Sequence, residues 1–234
     1  MPEAVVFDLF ETLVTEFVPD WLPGPSLASR LGLPDETWTT VWRSRKTARM
    51  TSAVDFRDVV REACTAADIK IGSQIAETIQ TLYEERLAAK ARPLLTADPR
   101  LLRALAELRA KGLKLGVASN CAVEEVAAWN DSPFAPLFDQ VLFSYRVGFS
   151  KPDPRIYRLA CQGLGVSPSK VIFVGDGGSD ELAGARAVGM TAYRARWFLD
   201  QWPAAHRDHR SDQDEGFPAL FVPDELVALL LDHR

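Results

Sequence analysis

Four short stretches of the chain set polar, chemistry-bearing side chains directly behind apolar runs. A-V-V-F-D-L-F-E-T-L-V, from Ala4 to Val14, carries Asp8 and then Thr12. K-L-G-V-A-S-N ends in Ser119 and Asn120, and G-F-S-K-P-D-P holds Lys151. V-I-F-V-G-D-G-G-S-D-E-L-A-G-A holds Asp176 and Asp180. A nucleophilic carboxylate, a hydroxyl, an ammonium and a further group of carboxylates suit an oxyanion together with a hard divalent cation. Each stretch also has a plainer reading. Asp8 could cap a helix or sit in a turn, and Ser119-Asn120 could cap the helix that follows. Lys151 could be a solvated loop lysine, and Gly177-Gly178 only a turn. Four such features in order, each at the end of an apolar run, point to one shared site.

Those side chains converge only if the runs are parallel strands, whose carboxyl ends share one edge of a sheet. The apolar patterning predicts strands at Ala4–Phe7, Leu115–Ala118, Asp139–Ser144, Val171–Val174, Met190–Ala195 and Leu220–Val222. Helices are expected between them. One carries Leu101, Leu105 and Leu108, one spans Pro154 to Leu164, and one spans Leu182 to Val188. A last helix is capped by Asp224. This alternation gives an α/β fold, a Rossmann-like parallel sheet with helices on both faces. Between residues 15 and 95 no strand pattern occurs. After a loop punctuated by Pro19, Pro23, Gly24 and Pro25, helical spacing runs from Ser26 through Leu87, and Pro93 is expected to close it. The chain thus divides into a core, 1–14 and 96–234, and an inserted all-helical unit, 15–95. Residues 200–216 read as a polar surface loop.

The 234 residues are 47% hydrophobic and 25% charged, which is ordinary globular composition. A net charge of −5 gives no footprint for nucleic acid. The apolar runs are too short to span a membrane, and the first strand begins too early to leave room for a signal peptide. Cys64, Cys121 and Cys161 lack metal or disulfide spacing. These features lead us to expect a soluble cytoplasmic protein; the oxyanion-binding set of side chains adds the expectation of a small, anionic substrate, and the chain is expected to be a monomer or homodimer.

The four stretches together resemble the motifs of the haloacid dehalogenase-like hydrolase superfamily, in order and in spacing. The all-helical insert after the first motif is similar to that superfamily's cap. The resemblance implies that Asp8 is the nucleophile and forms a covalent aspartyl intermediate. It implies that Ser119, with Asn120 beside it, contacts the transferring group and that Lys151 neutralises charge. Thr12 would hydrogen-bond near the nucleophile. Mg²⁺ would be held by Asp8, the backbone carbonyl of Phe10 and Asp176, with Asp180 holding its waters or Lys151 from outside. Phosphatases of the superfamily have a second Asp where this chain has Phe10; that Asp is the general acid–base. Glu11 is the nearest spare carboxylate, and alternation points it away from Phe10. The 2-haloacid dehalogenases also lack that Asp and use no metal. They carry Ser and Asn in the stretch where this chain has Asp176 and Gly178. The balance implies a Mg²⁺-dependent phosphatase of small phosphorylated metabolites. A haloacid dehalogenase and a non-catalytic binder of phosphorylated ligands are the alternatives. In the insert, Arg45 or Arg49 is the candidate for reaching an anionic substrate group, and Phe17 and Trp21 are expected to pack the linker. Cys121 is not expected to be catalytic.

Overall fold

Strand β1 (Ala4–Phe7) is buried along its whole length, because it lies between two parallel neighbours and is covered on both faces. The computed structural model describes residues 1–17, 25–202 and 216–231. Its sheet has six parallel strands in the order β3-β2-β1-β4-β5-β6. The others are β2 (Lys114–Ser119), β3 (Gln140–Phe143), β4 (Val171–Gly175), β5 (Thr191–Ala195) and β6 (Ala219–Leu220). Period-two alternation splits β1 between two cores. Val5 and Phe7 pack with Leu101, Leu105 and Leu108 of α6 (Pro99–Ala110) and Leu226 and Leu230 of α10 (Pro223–Leu231). Ala4 and Val6 pack with Ile156, Tyr157 and Ala160 of α8 (Pro154–Leu164) and Leu182 and Ala185 of α9 (Glu181–Ala187).

Local chemistry sets the helix ends. Asp98 and Asp153 each cap a helix that opens with proline, accepting from the N–H two residues on at 2.8 and 2.9 Å. The last helix starts at Pro223, so Asp224 lies in its first turn rather than at its cap.

Between β1 and β2 the described residues from Leu27 to Leu95 form α1 (Leu27–Leu31), α2 (Asp35–Ser44), α3 (Lys46–Thr51), α4 (Phe56–Ala66) and α5 (Ser73–Leu95). They bury their own apolar cluster around Val41, Phe56, Val60, Ile79 and Leu82. Pro93 does not end α5. It is buried in the last turn, where its missing N–H costs a single helical bond and the helix continues to Leu95. Pro19, Trp21, Pro23 and Gly24 lie outside the described residues, as do residues 203–215 of the expected surface loop. His206, His209 and His233 lie there too.

Candidate active site

Strand register brings the four motifs together. Phe7 pairs with Val117 on β2 and with Val174 on β4, so Asp8 leaves the sheet level with Ala118 and Gly175. Ser119 and Asp176 follow one residue further out. The Asp8 N–H still bonds the Val174 carbonyl at 2.8 Å, which fixes the Asp8 backbone to the sheet.

Beyond Asp8 the chain turns back on itself. Leu13 and Val14 donate to the Leu9 carbonyl, and Glu11 donates to Val14. Glu11 takes a left-handed φ of 59° in this turn, so strand alternation no longer governs its side chain. Its carboxylate collects the Thr15 hydroxyl at 2.6 Å, the Glu16 N–H at 2.9 Å and the Trp202 indole at 2.7 Å. The Trp197 indole bonds the Thr12 carbonyl at 2.7 Å. Two tryptophans beyond β5 therefore pin the turn that follows Asp8. Burial pushes the Glu11 carboxyl up, against the pull of these donors. The Thr12 hydroxyl is 3.5 Å from Asp8 Oδ2, a long contact.

Lys151 lies at the centre. Its ammonium is buried and bonds both Asp8 Oδ1 and Glu181 Oε2. Burial alone would pull it down. The charges of Asp8 and Glu181 outweigh that and hold it above an ordinary lysine, so it stays cationic. Asn120 positions Lys151 through the backbone: its Nδ2 donates to the Lys151 carbonyl at 2.9 Å, and its Oδ1 accepts from the Lys151 N–H at 2.7 Å. Ser119 is fully buried, and its Oγ has no hydrogen-bond partner among the described residues. A buried hydroxyl without a partner has a free donor for a ligand oxygen, although Ser119 is not itself among the residues lining the cavity over Asp8. Cys121 is buried, and burial pushes its thiol far up, which leaves it inert.

Asp180 does not bond Lys151, one of the two roles expected of it. Asp180 is exposed and takes a φ of 53° just before α9. No hydrogen bond or ion pair to it is found among the described residues. The neighbouring Glu181 points inward instead. It bonds Lys151, accepts from the Gly177 N–H at 3.1 Å, and lies with Asp8 and Asp176 in a cluster whose ligand oxygens are all within 4.8 Å. Burial and then the Asp8 charge push its carboxyl up to about 8, with Lys151 opposing. A sequence signal for Glu181 exists: it precedes Gly184 and Ala185 by one helical turn, on the stripe of α9 that faces the core. Gly184 permits this approach, since a Cβ there would lie 2.7 Å from the Tyr157 hydroxyl and 2.9 Å from Pro152. Tyr157 in turn bonds the Glu181 carbonyl at 2.9 Å.

The cavity over this cluster is about 170 Å³ and is lined by Asp8, Phe10, Asn120, Lys151, Asp176 and Glu181, among others. That is room for one small group and not for a drug-sized ligand. With the Glu181 carboxyl pushed up, Asp8 and Asp176 face the single Lys151 ammonium, which leaves negative charge in excess around Asp8. The Phe10 carbonyl accepts no hydrogen bond among the described residues. An all-oxygen donor set with excess negative charge fits a hard divalent cation. Neither expected arginine reaches the cavity. Arg45 pairs with Glu62 on the surface of the insert, and Arg49 is buried over the Trp42 ring, 3.5 Å from Glu124. Phe17 packs on Trp202, with ring centroids 5.7 Å apart.

A parallel sheet with acidic side chains gathered at the carboxyl ends of its strands is an arrangement shared with known hydrolases. Residues 2–189 match the family model of haloacid dehalogenase-like hydrolases, and the chain belongs to that family. It is 31% identical over 170 residues to a phosphoserine phosphatase of Thermus thermophilus, covering 72% of this chain and 60% of that protein. It is 29% identical over 178 residues to (S)-2-haloacid dehalogenase 4A of Burkholderia cepacia, covering 71% and 73%. The crystal structure of a 2-haloacid dehalogenase from Pseudomonas syringae superposes with a TM-score of 0.65 at 23% identity, over the whole of both chains. The chain spans 42% to 60% of the length of the phosphatase relatives it matches.

Proposed function

We propose that the chain is a Mg²⁺-dependent phosphatase of a small phosphorylated metabolite. The observation that carries this reading is Asp176 beside Asp8. The second carboxylate adds to the negative charge around the nucleophile, which a divalent cation offsets and a bare haloacid carboxylate would aggravate. Asp8, Asp176 and the Phe10 carbonyl would hold Mg²⁺. When bound, Mg²⁺ neutralises charge on the phosphoryl oxygens. Asp8 attacks phosphorus, the ester P–O bond breaks, and an aspartyl phosphate forms. Water then cleaves that intermediate and returns the carboxylate. Lys151 stays protonated and holds Asp8 in place. The Ser119 hydroxyl donates to a phosphoryl oxygen. Glu181 anchors Lys151 from the side opposite Asp8. The phosphatases among the relatives support this reading.

One observation favours a second reading. Phe10 sets an apolar ring in the cavity wall where a general acid would be useful, and halide leaves without a proton. A dehalogenase would form an ester on Asp8, and the dehalogenase relative supports that reading. Phosphate release from a panel of phosphomonoesters and acyl phosphates, with Mg²⁺ and with chelator, separates the two. We expect Mg²⁺-dependent release that disappears in Asp8→Asn. No release from any ester, with halide released from 2-haloacids, would replace the phosphatase by the dehalogenase. A blank in both assays would leave a non-catalytic binder of phosphorylated ligands.

A further inference from the structure

Three cations of the insert face the core: Arg49 on α3, and Arg86 and Lys90 on α5. Arg49 is buried against Trp42. Arg86 is held at 2.9 Å by Glu124 and again at 2.9 Å by Glu125. Lys90 differs from both in place and in chemistry. Its ammonium lies 2.5 Å from Glu16, 3.5 Å from Glu125 and 5.5 Å from the centre of the Phe10 ring. Among the described residues it is the one cation of the insert in recorded contact with a residue lining the Asp8 cavity. Its two carboxylate partners belong to two different walls. Glu16 ends the turn that carries Asp8 and Phe10. Glu125 accepts from the Ala122 N–H at 2.9 Å, two residues beyond Asn120. An ammonium has three donors, and here two acceptors are engaged. The longer contact, to Glu125, is the one a flexible four-carbon stem can release without breaking the other.

We propose that Lys90 is a specificity-determining residue that binds a carboxylate carried by the substrate beyond its phosphoryl group. The proposal rests on the phosphatase reading for the identity of the reacting group alone. Lys90 already accommodates two carboxylates, and it stands over the ring of Phe10, a residue that lines the small cavity, where a substrate extending past the cavity would meet the insert. A carboxylate arriving there displaces Glu125 and takes a charge-assisted hydrogen bond. Such a bond is worth roughly tenfold or more in affinity, reduced by competition from Glu16.

The test is binding by titration calorimetry with Mg²⁺, using two probes that cannot be hydrolysed: methylphosphonate and phosphonoacetate, which adds a carboxylate. The unsubstituted protein is expected to bind phosphonoacetate about tenfold more tightly. Lys90→Met should remove that preference and leave methylphosphonate affinity within about twofold, and Lys90→Arg should keep most of it. Glu16→Gln, which leaves Lys90 intact, should strengthen phosphonoacetate binding about twofold to threefold. Equal affinity for the two probes in the unsubstituted protein, a preference that persists in Lys90→Met, or an equal loss of both probes in that variant overturns the proposal. Failure to bind either probe overturns it as well. A Lys90-dependent preference in a protein that releases no phosphate would leave this assignment standing and remove the phosphatase reading.

Discussion

Replacing Asn120 by alanine tests whether the site is positioned through the backbone of Lys151. Asn120 makes two hydrogen bonds to that backbone, at 2.7 and 2.9 Å. Each is worth about 1 kcal/mol net, and a backbone group left partly buried without a partner adds a further ~1 kcal/mol or more. The expected loss is about 2–4 kcal/mol. For a chain of this length that is a fall in Tm of roughly 5–10 °C. The effect on turnover should be larger in proportion. Lys151 reaches both Asp8 and Glu181 from its position behind this clamp. A displacement of about 1 Å is worth on the order of 100-fold in rate. Asn120→Ala should therefore lower kcat about 100-fold with little change in KM. Asn120→Asp keeps an acceptor for the Lys151 N–H but sets a carboxylate oxygen against the Lys151 carbonyl, and should be no better. Thermal melts and steady-state kinetics on the three proteins decide it. A normal kcat in an alanine variant of lowered Tm would refute positioning, because Asn120 would then support only the fold.

Four other substitutions follow from the same geometry. Asp180→Asn should leave turnover within about twofold, whereas Glu181→Gln should lower it roughly tenfold or more, since only Glu181 bonds Lys151; kinetics on the pair would refute the assignment if the order reversed. Gly175→Ala should lower turnover as strongly, because the added Cβ would overlap the Glu181 carboxylate; an active Gly175→Ala variant would show that this carboxylate can move without consequence. For Glu125, burial raises the carboxyl, but Lys90, Arg86 and the Ala122 N–H outweigh it and hold it below an ordinary glutamate. A depressed native value contributes stability above the unfolded value of about 4.3, and that contribution is lost as pH falls through the native value. Glu125→Gln should thus lower Tm at pH 7, with the gap closing below about pH 4; a gap independent of pH would contradict the sign.

Much of this arrangement was legible in the residues, for reasons that differ by element. Buried parallel strands read as unbroken apolar runs, so Ala4–Phe7 and Val171–Val174 could be read directly. Asp-Pro at two helix starts and Gly165 after Leu164 are local stereochemistry, which needs no tertiary information. The motif residues Asp8, Asn120, Lys151 and Asp176 meet at the cavity because strand order follows from connectivity rules. Asp180 and Glu181 were the opposite case. Both carboxylates stand next to each other at a helix start. Which of them faces Lys151 depends on the left-handed φ values of Ser179 and Asp180, and those are set by how α9 docks on Tyr157 and Pro152. The ion pairs of Arg49, Arg86 and Lys90 with Glu124, Glu125 and Glu16 join segments 38 to 75 residues apart, beyond the reach of any periodicity. Pro93 misled because helix-breaking is a statement about interiors, and this proline lies within the last turn.

The disposition of the acids also bears on how a leaving group departs. Phe10 contributes a ring and a carbonyl but no proton. Glu11 is turned onto Thr15, Glu16 and Trp202, three donors that its carboxylate would have to abandon. Glu181 is committed to Lys151 and to the Gly177 N–H. Asp180 is exposed before α9. Asp8 bonds Lys151, and Asp176 accepts from the Gly178 N–H at 2.8 Å. Each carboxyl that lines the cavity, Asp8, Glu11, Asp176 and Glu181, is thus held by other groups, and Asp180 is not part of the lining. On either hydrolytic reading the leaving atom departs with a proton from water or with none. Halide meets that condition outright. A phosphoryl donor meets it when its leaving group is already a good one, as in an acyl phosphate. The Phe10 ring, the neighbouring Lys90 and the excess negative charge around Asp8 are compatible in one enzyme on the proposed reading: a bound cation would activate the transferring group, Lys90 would select the substrate, and bond cleavage would rely on the leaving group's own stability.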